Sequence, residues 1–347
     1  GETAKKFMIG YAPSEWEALC QQLGRNKEQK EQLVELKLAS EKSPGRQFDF
    51  FRDRLMFPIR DKRGRVIAFG GRVMQADQGP KYLNSPETRI FHKGFELYGL
   101  YEAKQAHKKL EHILIVEGYM DVVALAEQGI EYAVAALGTA TTAEHMHTLF
   151  RTTDKVICCY DGDRAGRDAA WRALENALPY LGDGKSLKFV FLPDGEDPDS
   201  LVQKEGKDAF EARLSEADDF TKVLFNKLSQ EIDLTQDAGK AKLLSDALPL
   251  IEKIPSDFYQ ENILEHLGRL IGRTREQLNN RVKSPKQQHA IERKFKITPM
   301  RQAIGILLQH PSLATSIAYM PELAEMKIAG IELFLRIQHL ALEREGI

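Results

Sequence analysis

The spacing of apolar residues changes several times along this chain, and each change predicts a different kind of structure. "SEWEALCQQLGRNKEQKEQLVELKLASEK" holds its apolar residues at helical intervals until "SPGR" breaks the run, which predicts a helical opening. From Phe48 to Val73 the pattern shortens to the β-like runs "LMFPI" and "RVIAFGGRV" around the turn "RDKRGR", which predicts a small antiparallel sheet. From residue 111 the strands "HILIVEG", "YAVAAL", "KVICCYD" and "LKFVFLP" alternate with helices expected at 119–128, 142–150 and 164–180. That rhythm builds a parallel sheet, and right-handed crossovers carry the carboxyl ends of its strands to one edge, where such folds bind ligands. Beyond about residue 200 the 3.6 period returns in "LLSDALPLIEKI", "FYQENILEHLGRLI" and "TREQLNNRV". The polar "RVKSPKQQHAIERKFKITP" reads as a linker, and a last amphipathic region follows it. The expected fold is therefore α/β in its centre and α+β overall. Residues 1–110 form a mixed α+β subdomain, 111–200 the parallel-sheet domain, 201–284 a helical subdomain, and 285–347 the linker with a final helical region.

Charge sharpens that division. Residues 1–110 carry 21 Lys and Arg against 14 Asp and Glu, residues 111–220 carry 10 against 22, and the remainder 18 against 15. The net charges of +7, −12 and +3 sum to the overall −2. A basic unit beside an acidic one points to a surface that attracts polyanions next to a pocket that holds cations, although solvated faces alone would give the same count. At 347 residues two or three packed units are expected. No apolar stretch is long enough for a membrane helix. Cys20, Cys158 and Cys159 make neither a CxxC pair nor a disulfide framework, which fits a reduced, cytoplasmic setting. The chain opens at Gly1 without an initiator methionine, and it is expected to be a piece of a longer protein.

The acidic unit also holds the candidate chemistry. Glu117 ends the first strand of the parallel sheet, and Gly118 is expected to let the backbone turn there. Asp161 and Asp163 end the third strand two residues apart, with Gly162 expected to leave room for an ion or phosphate between them. Asp197 and Asp199 repeat the spacing after the fourth strand, stiffened by Pro198. Five carboxylates on one edge, with no His or Cys among them, make an oxygen-only set suited to Mg²⁺ or Mn²⁺ and to phosphoryl transfer. Glu117 has a second possible role, as a proton acceptor or donor outside the metal shell. The plainer reading of Asp-x-Asp is a turn or a helix N-cap, and Asp163 would then cap the helix that follows. Met56 and Phe57 read as core, and Trp16 and Trp171 as packing residues. No aromatic ladder for bases is evident, so grip on a single strand is expected to rest on phosphate charge.

"EGYMD", "DGDRAGRDAA" and "DPD" resemble the Toprim module shared by bacterial primases, type IA and type II topoisomerases and some nucleases. "FRDRLMFPIRDKRGRVIAFGGR" and "KYLNSPETRIFHKGFELYGL" are similar to the basic half of the RNA polymerase domain of DnaG-type primases. From Ile297, "ITPMRQAIGILLQHPSLA" is similar to the start of that family's helicase-binding region. The resemblance implies synthesis of short RNA primers on single-stranded DNA from ribonucleoside triphosphates. By motif it makes Glu117, Asp161 and Asp163 catalytic. The metal set becomes Glu117, Asp161, Asp163, Asp197 and Asp199, holding two or three Mg²⁺ or Mn²⁺ ions, with Asp121 as a supporting neighbour. Arg54, Arg72, Lys81, Asn84 and Lys93 become contacts to template, primer or triphosphate. It also implies a replicative helicase and single-stranded DNA-binding protein as partners, and a place at replication forks on the bacterial nucleoid. The family's amino-terminal zinc-binding domain has no ligand set here, so this chain is expected to initiate poorly, and the helicase-binding region looks cut short. The competing readings are a Toprim nuclease or DNA-cleaving topoisomerase, and a phosphorylatable receiver or adaptor. No tyrosine stands in a recognisable topoisomerase context, and a receiver orders its acidic residues differently along the strands.

Overall fold

A computed structural model describes residues 1–43, 46–75, 79–138, 140–274, 277–278, 299–316 and 330–345. The chain divides into two compact units, 1–282 and 283–347. Among the described residues no helix is long and apolar enough to cross a membrane.

The described residues of the first unit form three sheets. Strands β1 (Gly10–Ala12), β4 (Arg54–Arg60), β5 (Val66–Val73) and β6 (Tyr82–Asn84) form an antiparallel sheet in the order β1-β4-β5-β6. The β4–β5 hairpin is the one the sequence predicts, closed by Asp61, whose carboxylate accepts the N–H groups of Arg63 and Arg65. β2 (Ala39–Ser43) and β3 (Arg46–Asp49) form a separate hairpin. The expected helical opening resolves into two short helices, Ala18–Leu23 and Lys27–Glu35, and its tail, "ASEK", is strand rather than helix. Lys37 at positive φ ends the helical run, and Ala39 then pairs with Asp49, so tertiary pairing overrides local propensity there.

The central sheet runs β11-β10-β9-β7-β8, built from β7 (Ile113–Val116), β8 (Ala133–Ala135), β9 (Lys155–Tyr160), β10 (Ser186–Phe191) and β11 (Asp218–Asp219). β8, β7, β9 and β10 are parallel as predicted, and β11 adds an antiparallel edge. Helices Tyr119–Glu127, Ala143–Thr152 and Arg164–Ala177 are the crossovers. Ile113, Leu114 and Ile115 are buried without alternation, as are Cys158 and Cys159, which marks strands covered on both faces. Helices Phe220–Ser229, Asp237–Ile251 and Asp257–Ile271 follow, and one continuous core joins them to the four- and five-stranded sheets, while the β2–β3 hairpin packs in a smaller cluster with Cys20 and Leu33. Within the larger core Arg60 ties three elements together: its guanidinium donates to buried Glu102 and to the Lys6 carbonyl, and stacks over Tyr101. The second unit packs helices Pro299–Gln309 and Ile331–Glu345 around Leu307, Ile331 and Phe334. Most of "TREQLNNRV" and nearly all of the linker lie outside the described residues.

Phe57 is core as expected, but Met56 is only half buried. Trp171 packs against the core. Trp16 does not: it is 53 % exposed, and the Arg52 guanidinium lies over its ring at 4.0 Å, so its apolar face is covered by a cation rather than by a core.

Candidate nucleotidyl-transfer site

Parallel strand order brings the ends of β7 and β9 side by side, and with them Glu117 and Asp161. The Asp161 N–H donates to Glu117 Oε1 at 3.5 Å. The other carboxylates are fixed by helix starts. Asp163 caps Arg164–Ala177, its Oδ1 accepting the Gly166 N–H at 2.7 Å. Asp197 caps Pro198–Glu205, its Oδ1 accepting the Ser200 N–H at 2.7 Å, with Pro198 buried at the first helical position. Asp121 Oδ2 accepts the Gly118 N–H at 3.0 Å, and Asp199 is bonded to Gln203. The capping reading and the acidic-edge reading are thus compatible, because a cap bond engages one carboxylate oxygen and orients the group it holds.

Burial first, and repulsion between neighbouring acids after it, sets the electrostatics of this edge. Partial burial and then Asp161 and Asp163 raise the Glu117 carboxyl above its usual range. Asp161 is raised by burial, Asp163 and Asp197. Asp121 is pushed up to about 7 by burial and by Asp197, Asp161 and Asp199. Carboxylates held this way release their strain when a cation enters. Among the described residues, however, no three acidic, His or Cys side chains are drawn together closely enough to form a ready-made cage. The donor set fits a hard divalent ion shared with phosphate oxygens, which needs only a few protein ligands, rather than a dedicated all-protein site.

Two glycines play parts other than those expected. A Cβ on Gly162 would stand 2.1 Å from the Leu192 carbonyl oxygen, so the space beside it is taken by the backbone following β10 and not by an ion. Gly118 has an extended backbone, φ −128°, open to any residue; what a side chain there would crowd is the capping carboxylate of Asp121, at 3.1 Å.

Across from the acidic edge the basic sheet supplies a second set. Tyr119, two residues beyond Glu117, is buried against Phe57, Tyr82 and Tyr98. Its ring lies so close over Gly70 that a Cβ there would meet it at 2.8 Å. Around this contact the Tyr119 hydroxyl, Asn84 Oδ1 and Arg72 Nε are buried with no hydrogen-bond partner among the described residues. Buried polar atoms are nearly always paired, so these three mark the junction of the antiparallel sheet with the helix after Glu117 as a place set by more than packing. Arg54 is 5 % exposed, donates to the Gly71 and Pro80 carbonyls, and is lowered by burial. It is therefore held in the sheet more than offered to solvent. Lys81 is exposed, with its ammonium 5.4 Å from the Tyr82 ring centre. Lys93 lies on the loop after β6, its N–H donated to Glu87 Oε1. Sequence reasoning missed Tyr119, because an aromatic residue opening a helix looks like packing until the unpaired hydroxyl is seen.

A parallel sheet with a Glu at the end of one strand, an Asp-x-Asp at the end of its neighbour, and a basic antiparallel sheet over that edge defines a Toprim protein of the nucleic-acid-processing class. The comparisons agree segment by segment. Residues 1–104 match the DNA primase catalytic core N-terminal domain, 114–202 the Toprim-like family, and 222–276 the DnaB-helicase binding domain of primase. The DNA primase of Escherichia coli K12 is 50 % identical over 349 aligned residues, which take in all of this chain and 60 % of that protein. The E. coli primase catalytic core superposes with a TM-score of 0.76 at 56 % identity, covering 78 % of this chain and 87 % of that one. The DnaG primase catalytic domain bound to single-stranded DNA gives 0.75 and 56 %, covering 77 % and 86 %. The chain belongs to the DnaG primase family. It spans about 60 % of the length of the curated relatives that it matches end to end. The helicase-binding match falls on the helices before residue 277, upstream of the tail that carried that resemblance in the sequence.

Proposed function

We propose that this chain is the polymerising core of a DNA primase, joining ribonucleoside triphosphates into a short RNA primer on single-stranded DNA. The observation that carries this reading is the junction of Glu117 with Asp161, beside a helix whose first residue, Tyr119, is packed into the sheet of Arg72 and Asn84. Glu117, Asp161, Asp163, Asp197 and Asp199 would hold Mg²⁺ or Mn²⁺. When bound, the ions neutralise charge building on the phosphate oxygens. Through those ions the carboxylates would orient the triphosphate end, and Glu117, raised above its usual range by burial and by Asp161, is suited to take the proton of the primer 3′-hydroxyl as that oxygen attacks the α-phosphate and pyrophosphate leaves. Arg72, Asn84, Lys81 and Lys93 bind triphosphate or primer, Arg52 lines the path of the template, and Arg54 holds the Gly71 and Pro80 backbone beside it. The primase names of the relatives do not favour the nuclease or topoisomerase reading. Helicase association through helices 222–276, contact with single-stranded DNA-binding protein, and a location at replication forks in the bacterial cytoplasm complete the proposal.

The test is ribonucleotide incorporation on a single-stranded template by E117Q and D161N, both nearly isosteric. Loss of about 10²-fold or more in each is expected, the range for removing one group that acts in the transition state. Full activity in both would overturn the reading.

A further inference from the structure

His145 is fully buried, 0 % exposed, at the third position of the helix Ala143–Thr152, and both of its ring nitrogens are engaged. Nδ1 accepts the Thr142 N–H at 3.2 Å, so the proton of the neutral ring sits on Nε2, which donates to the Lys93 carbonyl at 2.9 Å. Thr142 works in the same direction: its hydroxyl accepts the His145 N–H at 3.1 Å and donates to the Gly94 carbonyl at 2.6 Å. From the other side Glu87 Oε1 accepts the Lys93 N–H at 2.9 Å. The peptide from Lys93 to Gly94 belongs to no strand or helix, yet three side chains fix its N–H and two carbonyls.

The capping box asks of the third helical position only an acceptor for the Thr142 N–H, which a Glu or Gln side chain would supply. What the imidazole adds is a bond to the backbone of the lysine loop, 52 residues away in sequence. The same connection reaches the acidic edge. Thr141, next to Thr142, bonds through Oγ1 to the Tyr160 hydroxyl at 3.1 Å, and Tyr160 is the last residue of β9 before Asp161. A Cβ on Gly138 would press on Asn84 Nδ2 at 2.9 Å. Gly138, Thr141 and Thr142, ahead of this helix, thus stand against Asn84, the last residue of β9 and the Gly94 carbonyl.

We propose that His145 is a positioning residue for nucleotide binding, which with Thr142 anchors the Lys93–Gly94 peptide so that the Lys93 ammonium meets the triphosphate from a fixed root. This deepens the primase reading and rests on Lys93 contacting phosphate. A long lysine side chain on an unanchored loop loses more freedom on binding, and that loss appears in affinity rather than in the chemical step.

The experiment compares wild type, H145F, H145Q, T142V, K93A and the double variant K93A/H145F in two assays: steady-state primer synthesis, and anisotropy of a fluorescent ATP analogue with Mn²⁺. In H145F and T142V, KM for nucleotide and the analogue's Kd are expected to rise about tenfold with kcat within about twofold, the loss of one backbone anchor. H145Q, whose amide still donates, should recover most of the affinity. K93A/H145F should bind no more weakly than K93A, because an anchor has nothing to position once the ammonium is gone. Unchanged affinity in H145F and T142V, or defects that multiply in the double variant, would overturn the inference. A circular-dichroism melt separates either result from unfolding. If the wild type incorporates no ribonucleotide, the function is wrong, while the anisotropy titration still decides the role of His145.

Discussion

Single residues at this site are set by burial more than by their own chemistry. Asp121 and His145 illustrate the two signs of the effect. Burial beside other acids pushes Asp121 up to about 7, so in the absence of metal the folded state holds a proton that the unfolded state releases near 4. That contribution is present at low pH and lost as pH rises through about 7. His145 is lowered by burial, so the unfolded chain takes up a proton near 6.5 while the folded chain takes it up only at lower pH. Its contribution is complete above about 6.5 and is lost as pH falls below it. A plot of Tm against pH from 5 to 7 is therefore expected to rise less steeply in H145Q than in wild type. Equal slopes would mean that the imidazole is charged in the fold or unbonded there. Asp121 is common to both proteins and cancels in the comparison.

At the scale of elements, helix starts do two jobs at once. Asp163 and Asp197 stop the strand-to-helix turns by capping, and the same turns hold their carboxylates at the edge. The two jobs separate under substitution. D163N keeps an acceptor for the Gly166 N–H and should melt within about a degree or two of wild type, while D163A should lose about 1 kcal/mol, the ordinary cost of removing a cap. Both should lose primer synthesis, since each removes the charge. A fully active D163N would reduce Asp163 to a cap and take it out of the metal set.

For the whole molecule, the basic and acidic units predict how binding responds to salt. Arg52 stands just before β4 with its guanidinium stacked on the exposed Trp16, and the basic sheet carries Arg72, while Arg54 is sunk into the strand pairing. If about four phosphates are contacted, affinity for a single strand should fall roughly 50-fold between 50 and 200 mM salt, following a slope near 0.7 per phosphate. Fluorescence titration of a labelled oligonucleotide at several salt concentrations measures this directly. W16A should weaken binding at every concentration without changing the slope, because it frees the Arg52 guanidinium from its ring without removing its charge. A flat salt response would move the template away from the basic sheet.

The order of elements in the central domain, the β4–β5 hairpin and the strand ends beside Glu117 and Asp161 were legible in the chain. Period-two and period-3.6 patterns depend on neighbours a few residues away, and the parallel topology with its single ligand edge follows from handedness alone. Local pattern could not reach β2, β6 and β11, short strands whose existence depends on a distant partner, nor the exposure of Trp16 under Arg52. Nor could it assign the glycines. Gly162 and Gly118 are explained by the Leu192 carbonyl and the Asp121 carboxylate, contacts that exist only after folding. The sequence by itself determined which carboxylates end which strands. Only the tertiary structure decided that Glu117 meets Asp161, that Tyr119, Arg72 and Asn84 each bury a polar atom unpaired among the described residues, and that His145 grips the loop of Lys93. The physical reason is that a hydrogen bond between residues 44 or 52 apart leaves no periodic trace in the chain; it is specified by the packing of the elements that carry its two ends.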